Sequence, residues 1–228
     1  MTEIKERHSR NIPAVSPEEM ERIYSAKVLV VGCGGLGGNI IENLCRIGIG
    51  HIRMVDGDTF AESNLNRQLL SNNNNIGMSK ALAAAERVRS IDPDITAEPV
   101  TDFLTAENAE SLLSDVDIVM DALDSVDARL ILEEVAARAG KVIVHGAISG
   151  WDLQVMLVPP GSGLLHELYY KAPAKKISPS LPMTPAACAA LQTAAAIRYL
   201  IKGKSVLDKV LLAGSLSDMS FDLIQFGD

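Results

Sequence analysis

The first residues that could do chemistry are four glycines that follow the apolar run 28–31: Gly32, Gly34, Gly35 and Gly37. The first permits a sharp turn, the second and third let a ligand phosphate approach the backbone, and the last lets the following helix pack close to the strand. The free N–H groups at the start of that helix favour an anion. The spacing therefore predicts a nucleotide-phosphate site, but it does not say what happens to the nucleotide.

An acidic residue stands where a nucleotide ribose would lie. Asp56 ends the predicted strand His51–Val55, about 20 residues past the glycines, where a carboxylate accepts hydrogen bonds from ribose hydroxyls. Up to this residue, a nicotinamide dehydrogenase is equally consistent with the sequence.

The polar stretch 57–68 argues against a nicotinamide dehydrogenase, because a simple dinucleotide-binding fold would start a helix soon after the strand. Its polar residues are Asp58, Ser63, Asn64, Arg67 and Gln68. Ligands bind at this edge of an open α/β sheet, and Arg67 with Asn64 could reach a phosphate chain. The alternative is a surface loop whose arginine makes an exposed salt bridge.

Two further charged side chains fit a polyphosphate ligand. Lys80 lies in the first turn of a helix predicted to run through Ile91, where it opposes the helix dipole unless an anion binds nearby. Asp124 follows the strand Val116–Met120, and its carboxylate is a hard oxygen ligand for Mg²⁺. The alternatives are a solvated lysine and an aspartate that caps the next helix.

Apolar runs that alternate with helical patterns position these residues. They predict an α/β fold with a Rossmann-like, mainly parallel sheet flanked by helices. Trp151–Val158 alternates like an added antiparallel strand, and two short strands near 207–213 and 219–226 close the chain. We expect a single domain over 1–228, with an N-terminal arm and helix in 1–25 and an irregular loop in 159–182.

Composition further limits which classes of protein and partner fit the sequence. The 228 residues are 47% hydrophobic, which suits one globular core, and the net charge of −8 argues against DNA as a partner. The cysteines Cys33, Cys45 and Cys188 are far apart, so neither a disulfide framework nor a zinc site is indicated. We expect a cytoplasmic protein without a signal peptide or a membrane span.

Several stretches of the sequence, taken together in their order and spacing, resemble a known family: 32–37, 56–58, 63–68, Lys80 and 121–125. The family is the MoeB/ThiF/HesA branch of the ubiquitin-activating-enzyme-like adenylyltransferases. The similarity extends from about Arg7 to the final strands. It implies that ATP lies on the glycine turn. It also implies that the C-terminal Gly-Gly carboxylate of a small ubiquitin-fold sulfur carrier attacks the α-phosphate, giving acyl-adenylate and pyrophosphate.

The same resemblance implies roles for single residues. It places Gly35 at the nucleotide, Asp56 on the ribose, and Asn64, Arg67 and Lys80 on the phosphates. Asp124 matches the Mg²⁺-binding aspartate, and Ser125 completes its motif. Arg10, within Arg-His-Ser-Arg-Asn-Ile, matches an arm that reaches into the partner subunit's site of a homodimer, as an arginine finger. From composition alone, the segment 7–11 is a mobile, solvated terminus.

The chain departs from the family pattern at its cysteines. Where many members carry the first of two zinc-binding cysteine pairs, it has Leu164–Leu168, and the crossover loop at about 171–180 has no cysteine. We therefore expect no zinc, no enzyme thioester and a separate sulfurtransferase. Cys188 and His145 are interpreted as structural residues.

Three other functions remain open. They are a dehydratase acting on tRNA-bound threonylcarbamoyladenosine, a nucleotide- or carrier-binding module without turnover, and the nicotinamide oxidoreductase. The acidic charge disfavours the first, and the joint presence of Arg67, Lys80 and Asp124 disfavours the second. The oxidoreductase is the weakest, because it has no use for the polar loop.

Overall fold

The computed structural model describes residues 3–170 and 179–226, which form eight strands and seven α-helices. The strands are β1 Lys27–Val31, β2 His51–Val55, β3 Thr96–Val100, β4 Ile118–Asp121, β5 Val142–Ser149, β6 Asp152–Val158, β7 Val210–Ser215 and β8 Ser220–Gln225. The helices are α1 Pro17–Ser25, α2 Gly35–Ile47, α3 Lys80–Ile91, α4 Ala106–Leu113, α5 Val126–Ala139, α6 Leu164–Leu168 and α7 Met183–Lys202.

All eight strands belong to one sheet, in the order β3-β2-β1-β4-β5-β6-β7-β8. Strands β1 to β5 pair in parallel, and β6, β7 and β8 are added antiparallel. The predicted fold class is confirmed. After β1 the chain turns to β2 on one side and later to β4 on the other, which opens a crevice at the carboxyl ends of these strands.

The turn between β1 and α2 requires glycine at two positions. Gly32 has a φ of 98°, and a Cβ there would lie 2.6 Å from the carbonyl oxygen of Ala122. At Gly37 a Cβ would lie 1.7 Å from the carbonyl oxygen of Gly32. The helix therefore packs against the turn as the glycine spacing predicts.

The sheet has a core on each face, because successive residues of a strand point in opposite directions. Val28 and Val30 of β1 pack with residues of α2 and α7, whereas Leu29 and Val31 pack with residues of α4 and α5. Cys188 lies fully buried in the first of these cores. Its prediction as a small core residue is confirmed.

The N-terminal arm is not the mobile, solvated terminus predicted from composition. Residues Glu6–Asn11 form a 3₁₀ helix in which His8 is buried. Arg7 Nη1 lies 2.6 Å from Asp92 Oδ1, and Lys5 contacts the same carboxylate. Because Asp92 is fully buried, it needs these cations, and the arm packs on the domain to provide them.

Strand β5 runs to Ser149, since it pairs with β6 along its whole second half. One other element differs from the predictions. The irregular segment 159–182 contains the short helix α6, whose first N–H groups are held by the buried carboxylate of Glu133. Most of the predicted crossover loop, 171–178, lies outside the described residues. None of the described helices is long and apolar enough to cross a membrane.

Candidate functional site

A cavity of about 440 Å³ opens at the carboxyl ends of β1, β2 and β4. It brings together most of the predicted site residues, namely Gly32, Gly34, Gly35, Asp56, Asp58, Arg67, Gln68, Lys80 and Asp124. These residues come from separate strand ends and loops, so the fold assembles one site from them. Its lining combines glycine backbone, three cations and three carboxylates, a composition that suits a phosphate ligand with a metal ion.

Asp56 is bonded to the turn that holds the glycines. Its Oδ2 accepts the N–H of Cys33 at 2.7 Å, and its Oδ1 accepts the N–H of Asp58 at 2.8 Å. Each carboxylate oxygen can accept a further hydrogen bond, and Asp56 lines the cavity. The side chain therefore fixes the glycine turn and keeps the capacity to accept a ribose hydroxyl.

Lys80 is buried, so the alternative of a solvated lysine is wrong. Its Nζ lies 3.0 Å from Asp58 Oδ2, and only 7% of the residue is exposed. The backbone also joins the two residues, since the N–H of Lys80 donates to the carbonyl of Asp58. The ammonium is thus held at the cavity wall at the start of α3, where a bound anion would offset the helix dipole.

The polar loop supplies Arg67 to the cavity. Arg67 Nη1 donates to the Ser63 carbonyl at 3.0 Å and to Asn66 Oδ1 at 2.9 Å. Asn64 Oδ1 accepts the N–H of Ala61 and closes the 3₁₀ turn Glu62–Asn64. Ser63 and Asn64 do not line the cavity, so they shape the loop that presents the guanidinium.

Gln68 is buried beside the glycine turn. Its amide nitrogen lies 3.5 Å from the position that a Cβ on Gly34 would take, and its Oε1 is buried with no hydrogen-bond partner among the described residues. A buried acceptor without a partner is costly. A hydrogen-bond donor on a bound ligand would satisfy it.

Asp124 lies at the end of β4 with its side chain exposed to the cavity. The N-cap of α5 is Ser125, so the alternative that Asp124 caps this helix is wrong. Ser125 does not line the cavity. Asp124 is therefore placed as a ligand-facing carboxylate just before a helix.

The residues that line the cavity without having been predicted from the sequence include Phe103, Leu104, Arg129 and Ser180. The first two follow β3 at the same sheet edge, so the rule that ligands bind at strand ends could have found them. Arg129 lies inside the predicted helix α5, and no local signal distinguishes it from a surface arginine. Ser180 approaches from a segment remote in sequence.

Arg10 is exposed and does not line the cavity of its own chain. It lies on the 3₁₀ helix Glu6–Asn11, which packs beside Ile47 at the far end of α2. The structure therefore does not bring Arg10 together with the other predicted site residues of its own chain.

A comparison with protein families decides the identity. The ThiF family matches residues 7–226. The chain belongs to the ThiF family. Its relatives include the SAMP-activating enzyme E1 of Haloferax volcanii, 32% identical over 97% of this chain and 85% of that protein. The sulfur carrier protein adenylyltransferase of Thermus thermophilus is 34% identical over 90% of this chain and 80% of that protein.

Solved structures agree with the fold of this ThiF-family chain. E. coli MccB in complex with ATP superposes with a TM-score of 0.83, at 19% identity, over 98% of this chain and 72% of that one. The predicted resemblance to MoeB/ThiF/HesA proteins is confirmed. The names of the relatives agree with the prediction of an adenylyltransferase.

The cysteines of this ThiF-family chain are not activated. Burial raises the pKa of Cys188 to about 12 and that of Cys45 to about 11, and it also raises the pKa of Cys33. A thiol is a nucleophile only as the thiolate. Within the described residues, the site offers no cysteine nucleophile.

We expect the ThiF-family fold to lose stability as pH falls from about 7 to about 5. Burial lowers the pKa of His145 and of His8 below the ordinary 6.5. At a pH between the histidine pKa values of the folded and the unfolded chain, the unfolded chain binds more protons. The two histidines therefore do not reduce the stability above pH 6.5, and the stability declines below it. Thermal unfolding across this range measures the effect. His145→Gln and His8→Gln should each flatten the slope, and a midpoint that rises in acid would contradict the prediction.

Proposed function

We propose that this chain is an ATP- and Mg²⁺-dependent adenylyltransferase that activates the C-terminal Gly-Gly carboxylate of a small ubiquitin-fold sulfur carrier and releases pyrophosphate. The observation that carries the proposal is the convergence of Arg67, Lys80 and Asp124 on one cavity beside the glycine turn. Nucleotide binding without turnover does not require this set of charges. The names of the two relatives, which refer to SAMP activation and to a sulfur carrier protein, support the same substrate class.

The reaction needs no nucleophile from the enzyme. A carboxylate oxygen of the carrier forms a bond to the α-phosphorus, and the bond from that phosphorus to the bridging oxygen of pyrophosphate breaks. Negative charge then collects on the phosphate oxygens and the leaving group. Arg67 and Lys80 are held at the cavity wall before the reaction, and such preorganised cations stabilise charge where it develops. In the bound state Lys80 exchanges part of its contact with Asp58 for phosphate oxygens.

The donor set fits Mg²⁺. Asp124 and Asp58 present carboxylates to the cavity, and Mg²⁺ binds through one or two carboxylates together with substrate phosphates. Asp124 would hold the ion, which supplies charge neutralisation on the polyphosphate when bound. Asp56 and Gln68 would accept and orient the nucleoside part.

We further propose a homodimer in which Arg10 of one chain completes the cavity of the other. The exposed position of Arg10, outside the cavity of its own chain, supports this arrangement. Sulfur delivery then falls to a separate sulfurtransferase, since the described cysteines are buried with raised pKa values. We expect the enzyme to act in the cytoplasm without structural zinc.

ATP–pyrophosphate exchange tests the proposal. The assay contains Mg²⁺ and a panel of small carriers that end in Gly-Gly, with each carrier lacking its last glycine as the matched control. Exchange that requires one carrier and its intact terminus supports the proposed function. ATP binding without exchange for any carrier would overturn it, in favour of the tRNA dehydratase or a non-catalytic module.

A further inference from the structure

Four side chains beneath the cavity form a closed ring of contacts: Asp121 of β4, Arg129 of α5, His145 of β5 and Tyr169 after α6. His145 Nδ1 lies 2.7 Å from Asp121 Oδ2, and the Tyr169 hydroxyl lies 3.2 Å from His145 Nε2. Arg129 Nη1 donates to the Tyr169 hydroxyl at 2.8 Å, and its Nε lies 3.4 Å from Asp121 Oδ2. Asp121 and His145 are fully buried, and the proposed transfer uses neither of them.

A neutral His145 links the members of this ring. Burial lowers the pKa of His145, so its imidazole is neutral and its Nδ1–H donates a hydrogen bond to the Asp121 carboxylate, whose own pKa Arg129 and His145 help to lower. Nε2 is then an acceptor that faces both the Tyr169 hydroxyl and the Gln154 amide nitrogen, and the Tyr169 oxygen accepts from Arg129. Arg129 Nε has only the ion-pair contact with Asp121 and no hydrogen-bond partner among the described residues, so Nη1 and Nη2 carry the hydrogen bonds that hold the guanidinium in place.

The ring holds both backbone polar groups of one residue in the cavity wall, Leu123. The N–H of Leu123 donates to Asp121 Oδ1 at 3.0 Å, and its carbonyl accepts from Arg129 Nη2. Arg129 also donates to the carbonyl of Gly146 at 3.3 Å, which ties the same wall to β5. Leu123 directly precedes Asp124, and both residues line the cavity. Movement of Arg129 would therefore shift the backbone that carries Asp124.

We propose that Arg129 is a positioning residue for the transfer. Together with Asp121 it fixes the peptide ahead of Asp124, and so it sets where the Asp124 carboxylate meets the Mg²⁺-bound triphosphate. Tyr169 locks Arg129 in this position, so the placement of Asp124 depends on α6 as well as on the sheet. The proposal rests on the proposed function for its turnover measurement, but its metal-dependent binding measurement does not need the carrier.

Arg129→Lys and Tyr169→Phe test this assignment, with Arg53→Lys as the matched control. Arg53 is another nearly buried arginine that donates to a backbone carbonyl, that of Leu112, but it lies outside the cavity. The first measurement is calorimetric binding of a non-hydrolysable ATP analogue as a function of Mg²⁺ concentration. The second is the kcat and the ATP KM of pyrophosphate exchange at saturating Mg²⁺.

We expect Arg129→Lys to raise the Mg²⁺ concentration for half-maximal binding about tenfold, as loss of a residue that orients a metal ligand does. Its kcat should fall by about tenfold to a hundredfold with the ATP KM nearly constant, since the loss lies in positioning. Tyr169→Phe should shift both values in the same direction by a smaller factor. Arg53→Lys should move neither value.

Variants that unfold at a lower temperature but keep the wild-type Mg²⁺ dependence and kcat would overturn the positioning role. If Arg129→Lys does not fold, Tyr169→Phe decides, because it removes one hydroxyl only. Analogue binding by the wild-type protein that is independent of Mg²⁺ would also overturn it. A wild-type protein that binds the analogue with Mg²⁺ but exchanges with no carrier refutes the proposed function, while the binding shift still decides the role of Arg129.

Discussion

Asp124→Asn is expected to lower ATP–pyrophosphate exchange by about a hundredfold to a thousandfold, the loss typical of removing one preorganised group that stabilises developing charge. The substitution keeps the size of the side chain and removes its charge. Asp124 is exposed at the cavity wall, so the change leaves the core untouched. Exchange rates with the activating carrier measure the loss, and thermal unfolding should show a midpoint close to that of the wild-type protein.

Asp127→Asn is the matched control for this variant. Asp127 is exposed in the first turn of α5, three positions further along the chain, and does not line the cavity. It should retain the wild-type rate although the charge change is identical. Exchange by Asp124→Asn at the rate of Asp127→Asn would remove Asp124 from the reaction. An equal loss of exchange in both variants would instead assign the effect to the net charge at the start of α5.

Most of the fold could be predicted because its signals are local. The β1–α2 turn follows from the glycine spacing, and the capping box of Ser16 and Glu19 marks the start of α1 as the sequence indicates. Parallel pairing follows from strands that alternate with helices. The cavity could be predicted as well, since Asp124 comes shortly after a predicted strand, Lys80 lies at a helix start, and Arg67 lies in the polar loop between a strand and that helix.

The features of the fold and the site that could not be predicted depend on contacts between residues distant in sequence. Nothing near Arg7 indicates that a buried Asp92, 85 positions away, will bind it and fold the arm onto the domain. The clamp of Arg129 on Leu123 likewise requires Tyr169 and His145, which come from other elements. Such networks appear only once the sheet order brings their members together. Even at Asp56, which its spacing marks as a candidate, the bond from the Cys33 N–H in the glycine turn is not revealed by the spacing.

A mixture of two inactive variants should recover activity if Arg10 acts in the partner's site. Arg10→Ala removes the finger, and Asp124→Ala removes the metal ligand. We expect each variant alone to exchange poorly. After equal mixing and reassociation, half of the dimers pair the two variants, and each of those has one cavity with both residues intact. The mixture should therefore show about a quarter of the wild-type exchange rate, as random pairing of a two-fold symmetric dimer requires.

Arg7→Ala distinguishes the proposed role of Arg10 from the anchoring of the arm that carries it. Arg7 lies on the same arm, but its guanidinium contacts Asp92 of its own domain, so its loss should lower the unfolding temperature and reduce exchange less than the loss of Arg10. A mixture of Arg7→Ala and Asp124→Ala chains measures how much the anchoring of the arm alone contributes to the exchange rate. If the Arg10→Ala and Asp124→Ala mixture stays inactive while mass measurement shows mixed dimers, Arg10 does not act across the interface. Because Arg10 lies outside its own cavity, that result would remove Arg10 from the proposed reaction.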